Sequence, residues 1–269
     1  MKTNKIASIL LSLTGAWGLF SCEKEITLDL NSVNAKYVIE GEITPNQKAT
    51  VRVIKTVDFT EPNDFPLVKG ANVSLSDGSG NTEKLVETGE GVYQSQKIVG
   101  FEGKTYSLTV MAEGNTFTAQ TTMPTNVKLT GIKVQKSSFS PPGSTAENYI
   151  IYPQFIDPAA FGNSYRFIQT RNEEKYKSII VANDNIGNGL PNSRPILSPD
   201  FEIVLGDNVT LEMHCIDKPI YDYFFSLNSV QGNGPGGGTI PTNPVTNIKG
   251  GALGYFSAHT QQKISIEVK

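Results

Sequence analysis

Few residues in this chain combine a reactive type with a spacing that chemistry could use. Its two histidines, His214 and His259, are far apart. Neither belongs to an H-E-x-x-H or H-x-x-x-H arrangement, which would set two imidazoles on one helix face around a metal. His214 directly precedes Cys215, but neighbours on a strand point to opposite faces, so adjacency makes no thiol–imidazole dyad. His214 is therefore expected to be a structural imidazole in a strand, Cys215 a small buried thiol, and His259 a turn or strand-edge residue. The run GNGPGGG (232–238) has glycines but lacks the Gly-Lys-Ser/Thr ending and the strand–loop–helix frame of a phosphate loop. In NDNIGNG (183–189) side-chain oxygens alternate as in a calcium loop, yet the position needing a bidentate Glu is Arg194. That segment is expected to be an Asx-rich turn. On this inventory the chain is expected to be no enzyme, with no catalytic residue, no cofactor site and no metal site, and its ligand-binding residues stay unassigned.

One cysteine carries more information. Positive charge at Lys2 and Lys5 precedes an apolar stretch from Ile6 to Phe20, and Leu19-Phe20-Ser21-Cys22 follows. A membrane-spanning helix needs roughly 20 apolar residues, so the stretch is short for a span and suits a signal peptide. The Leu at −3, Ser at −1 and Cys at +1 match a bacterial lipobox, which makes Cys22 the expected lipid anchor and first mature residue. Two or more acyl chains, at roughly 0.8 kcal/mol per buried CH₂, hold a protein stably on a membrane where one does not. Loss of Lys2 and Lys5 leaves 21 basic residues against 26 acidic, a balance that attracts neither nucleic acid nor an anionic membrane face. With Cys22 acylated, Cys215 has no disulfide partner, so the folded chain must be held by apolar cores.

The elements that would position any site are strands. Residues 1–21 read as the lipoprotein signal peptide and 22–36 as an acidic tether. From Tyr37 the apolar pattern takes a period of two: 37–43, 50–57, 71–76, 82–87, 91–95, 105–112 and 116–123 are seven short runs with turn signals between them. Asp77-Gly78 and Gly114-Asn115 are expected to supply positive φ angles to tight turns. This predicts an immunoglobulin-like β-sandwich over 37–124, with a boundary at Met123-Pro124-Thr125-Asn126. A second β-rich, sandwich-like domain is expected over 125–269, with strands at 127–135, 149–157, 164–171, 177–183, 201–205, 208–217 and 263–269. One short helix belongs to it, capped by Asp217 with Pro219 in its first turn; Tyr221, Phe224 and Phe225 are expected on its packed face. Most of the aromatics crowded between Tyr149 and Phe167 are expected in the core, while Phe161 on a loop could stack on a sugar or peptide. The turn-rich loops 137–148, 184–200 and 231–251 are the plausible contact surfaces.

Several phrases recur in one order. CEKEITLDL, YVIEGEIT, VKGANVSLSDGSGN, ETGEGVYQS, TYSLTV, GNTFTAQTTMP, YDYFFSLNSVQGN and NPVTNIKGGALGYFSAHT resemble a family of Bacteroidota outer-membrane lipoproteins, domain-of-unknown-function family 4249. The resemblance covers nearly all of the chain beyond Cys22 and implies a two-domain β-rich lipoprotein without assigned activity. Such proteins are commonly encoded beside TonB-dependent receptors. It implies a non-enzymatic accessory subunit of a nutrient uptake system, anchored in the outer membrane by its N-terminal lipid and docked on a β-barrel receptor. Glu23-Lys24-Glu25 partly matches the acidic export signals of surface-facing lipoproteins, which points to the cell surface, with the periplasmic face as the alternative. A second reading stays open: a glycan-, peptide- or matrix-binding adhesin-like module that acts without a transporter.

Overall fold

The computed structural model describes residues 34–58, 61–62, 64–138, 147–197, 202–230 and 243–269. Cys22, the tether up to residue 33 and the run 232–238 lie outside them. The described residues from Ala35 onward form one compact unit.

Two five-stranded sheets make the first sandwich. One contains β1 (Tyr37–Ile43), β2 (Lys48–Lys55), β5 (Val86–Gly89), β6 (Val92–Val99) and β16 (Leu253–Ala258), in the order β16-β1-β2-β6-β5. The other contains β3 (Asn72–Ser76), β4 (Thr82–Lys84), β7 (Thr105–Ala112), β8 (Asn115–Thr122) and β15 (Ile248–Lys249), in the order β15-β8-β7-β3-β4. Alternation decides the packing: Tyr106, Leu108, Val110 and Ala112 of β7 turn inward to meet Val51, Val53 and Ile39 in a single core. Buried Tyr93 satisfies its hydroxyl by donating to Val68 O at 2.8 Å and accepting from Ala71 N at 2.9 Å.

The run 82–87, expected as one strand, is two. Its halves β4 and β5 belong to opposite sheets, and buried Leu85 is the residue on which the chain crosses. In the β7–β8 hairpin the positive φ angles fall on Glu113 and Gly114, one residue earlier than expected, because Asn115 already pairs with Ala112.

The second sandwich is thinner. Its main sheet orders β12 (Glu174–Lys175), β11 (Ser164–Arg171), β14 (Asn208–Ile216) and β17 (Thr260–Glu267), with β13 (Ile180–Asn183) also paired to β11. A two-stranded layer of β9 (Gly131–Lys136) and β10 (Tyr149–Gln154) covers the core of Tyr165, Phe167, Leu211, Met213, Phe155 and Ile151. Phe155, Tyr165 and Phe167 pack with ring centroids 4.9 to 6.4 Å apart, as core aromatics do. Of the strand expected at 201–205, the described residues 202–205 form none. Ile203 is drawn into the core and its carbonyl accepts from Tyr149 N, but residues 205 and 206 turn at once, and Arg171 donates to Glu202 O.

The expected division at residue 124/125 is corrected by β15 and β16. Both follow the helix in sequence yet complete the two sheets of the first sandwich, β16 by running parallel to β1 and β15 by pairing antiparallel to β8. The chain leaves the first sandwich after β8, builds most of the second, returns for β15 and β16, and crosses again for β17. Parallel partners need a long crossover, so no local signal joins β16 to β1. Gly254 permits the pairing: its φ is +94° and a Cβ there would collide with Ile39 O.

Helix α1 (Lys218–Val230) starts where β14 ends. Asp217 caps it, its Oδ1 accepting from Ile220 N at 3.2 Å. Its buried face is Ile220, Tyr223 and Phe224, whereas Phe225 is exposed, which corrects the expected set. The reason is the identity of the neighbour: Tyr223 and Phe224 meet Tyr255 of β16, from the first sandwich, at 4.9 and 5.1 Å. Among the described residues no helix is long and apolar enough to cross a membrane.

Candidate functional site

Two places gather the features from which a function could be built: the seam where the sandwiches meet, and a pair of exposed loops beside it.

The seam is held by strand ends. After Ala258 closes β16 and before Thr260 opens β17 there is one residue, His259, whose N–H donates to Ile43 O at the end of β1. Its ring stacks on His214 of β14, with centroids 4.3 Å apart and planes 19° from parallel. Both imidazoles are buried, at 5% and 4% exposure for His214 and His259. His214 Nε2 lies 2.5 Å from Glu212 Oε1 and His259 Nδ1 lies 3.0 Å from Ser257 Oγ. Burial, joined by the charges of His214 and Arg166, depresses the His259 pKa to about 3. Close by, the Arg166 guanidinium lies 3.9 Å from the Phe224 ring centre, and its own pKa is lowered because burial disfavours the cation.

Asp217 adds a polar tie. Besides capping α1, its Oδ2 accepts from Thr121 Oγ1 at 2.8 Å and Thr122 N at 2.9 Å, fastening the helix start to β8. Burial raises its pKa against the lowering influence of these donors. Gln262 of β17 bridges to Asn126 and Val127 O and accepts from Leu129 N, while Val127 N donates to Cys215 Sγ at 3.4 Å.

The geometry here is that of a joint. Ser257, His259, His214 and Glu212 carry the residue types of a hydrolytic relay, but Ser257 is 1% exposed and the rings stack face to face without exchanging a hydrogen bond. A substrate carbonyl has no approach to Oγ. Cys215 faces the second core, on the side of β14 opposite His214, and burial raises its thiol pKa. Among the described residues no group of three or more His, Cys, Asp or Glu could hold a metal ion.

The loop pair is different in character. Loops 155–163 and 184–191 present Ile156, Phe161, Ile186 and Leu190, and Phe161 and Ile186 are 80% and 72% exposed. The acids in these loops point inward. Asp184 Oδ2 accepts from Gly162 N at 2.5 Å and Asn163 N at 2.8 Å, and Asp157 accepts from Tyr165 Oη and from Gly189 N. Asn188 Nδ2 donates to Ala159 O at 2.9 Å and Asp157 N to Leu190 O at 3.1 Å, so each loop braces the other. With Asp184 spent on backbone donors and Arg194 bonded to Asn183 O, NDNIGNG forms an Asx-rich turn as expected. The cleft between the loops has a volume of only about 40 Å³. A wider groove of about 760 Å³ crosses the outer face of the second sheet, where Thr210 and Ser265 already bond each other at 2.7 Å.

Sequence reasoning placed Phe161 outside and the other crowded aromatics mostly inside, and that arrangement is observed. It gave no hint of the imidazole stack, because strand pairing across the whole second domain is what brings β14 beside residue 259. The expected contact loops are described only in part: residues 139–146, 198–200 and 231–242 lie outside the described residues.

Fold and seam together define a mainly β, two-sandwich protein of immunoglobulin-like type whose sandwiches exchange strands. The chain belongs to the DUF4249 family, a domain of unknown function, which it matches over residues 23–265. No curated protein matches it. Among solved structures, a two-domain fibronectin type III segment from chicken tenascin aligns with 88% of this chain and 99% of its own at 10% identity and a TM-score of 0.25. A cytokine receptor complex aligns with 84% of this chain and 94% of its own at 7% identity and the same score.

Proposed function

We propose that this protein is a non-enzymatic outer-membrane lipoprotein, anchored through Cys22, that serves as an accessory subunit of a TonB-dependent receptor in nutrient uptake and faces the cell surface. The lipobox and the resemblance to Bacteroidota lipoproteins support the anchor and the compartment. The observation that carries the docking role is the braced loop pair, with Ile156, Phe161, Ile186 and Leu190 exposed on a surface whose acids are turned inward. Large apolar side chains held rigidly in water at little entropic cost are what protein interfaces bury.

Affinity purification of the tagged full chain from native membranes tests this. A β-barrel receptor should co-purify; recovery of the chain alone would refute the accessory role. Cys22→Ala should release the protein from the membrane fraction, and continued anchoring would overturn the lipoprotein assignment.

A further inference from the structure

We propose that the His214–His259 stack is an acid-sensitive latch on the joint between the two sandwiches: it holds the crossover closed near neutral pH and releases it when His259 takes up a proton.

The argument begins with position. His259 is the entire connection between β16 of the first sandwich and β17 of the second. Its backbone is tied to the first sandwich through Ile43 O and its ring to the second through His214. A change confined to this side chain therefore acts on a point where the chain crosses without slack. Neighbouring contacts, Asp217 to Thr121 and Ala258 N to Thr121 Oγ1, lie within the same joint.

Charge comes next. A proton on His259 would place a cation in van der Waals contact with the His214 ring and in the field of Arg166. The carboxylate at the pair, Glu212, is engaged on His214 Nε2, while His259 Nδ1 faces the neutral Ser257 hydroxyl. The wider surroundings are mixed. Tyr255 and Glu42 from the first sandwich, Glu212 from β14 and Tyr223 from α1 all act on Arg166, and Lys263 and Lys175 act on Glu212. None of these brings a carboxylate onto the His259 ring. In an opened joint the ring meets water and regains an ordinary affinity for protons, so acid favours opening.

The size follows from linkage. For a ring whose pKa is about 3 closed and 6.5 open, the open-to-closed ratio at pH 4.5 exceeds that at pH 7.5 by up to about 90-fold.

Amide hydrogen exchange on the full chain in detergent, normalised for intrinsic rates, reads this at pH 7.5 and 4.5. Protection of the amides of His259, Ala258 and Thr122 should fall tenfold or more at the lower pH. At both pH values these amides should be less protected than those of β2 and β7 and less sensitive to low urea, because the joint opens without global unfolding. In the paired variant His259→Phe with Ser257→Ala, which keeps an aromatic stack and strands no hydroxyl, the fall should vanish. A change at the joint below about threefold, joint amides as protected and as urea-sensitive as those of β2 and β7, or an equal loss in the variant would each overturn the latch. Should the variant not fold, the comparison of joint against β2 and β7 in the natural chain still decides.

Discussion

Removing the Asp217 carboxylate should loosen the helix and the sandwich seam together. In Asp217→Ala the α1 cap disappears, which costs about 1 kcal/mol at such positions. Thr121, 2% exposed, then loses the acceptor for its hydroxyl, and a buried donor left unpaired costs about 1–3 kcal/mol. Thr122 is exposed, so water can take over its N–H and little is added there. The expected loss is about 2–4 kcal/mol. For a chain of this size, at roughly 2–4 °C per kcal/mol, that lowers the melting temperature by about 5–15 °C. Urea denaturation of the natural chain, Asp217→Ala, Thr121→Val and the double variant supplies the decisive quantity. The two residues touch across the seam, so their coupling should be about 1–2 kcal/mol. Additive effects, within about 0.5 kcal/mol, would show that the tie contributes nothing beyond the cap and would refute the reasoning.

The remaining expectations concern pH, backbone space and the exposed loops. His259 has a folded-state pKa near 3, below its unfolded value, so the unfolded chain binds more protons below about pH 6.5. Stability is full above that pH and should fall by up to roughly 1.4 kcal/mol per unit as pH drops toward 3; a urea midpoint unchanged between pH 7 and 5 would contradict this. Gly254→Ala forces a Cβ onto Ile39 O at positive φ and should cost about 3 kcal/mol or prevent folding, seen as lost soluble yield or a lowered urea midpoint. Phe161→Ser and Ile186→Ser should leave the melting temperature within about 2 °C, since both side chains are solvent-exposed, yet reduce receptor co-purification severalfold. Retained co-purification with both replaced would move the docking surface elsewhere.

What the sequence determined follows from period and local chemistry. Alternation announced β1, β7 and β11 with their observed bounds, since burying one face of a strand requires it. Asp217 and Pro219 announced the helix start for equally local reasons: an orphan N–H needs an acceptor, and the missing proline N–H costs nothing in the first turn. Only the tertiary structure decided that β15 and β16 return to the first sandwich, that α1 turns Tyr223 and not Phe225 to its neighbour, and that His214 meets His259. Each depends on a partner remote in sequence, chosen by whole-sheet register, and a linear pattern reports which face a residue buries but not what it is buried against.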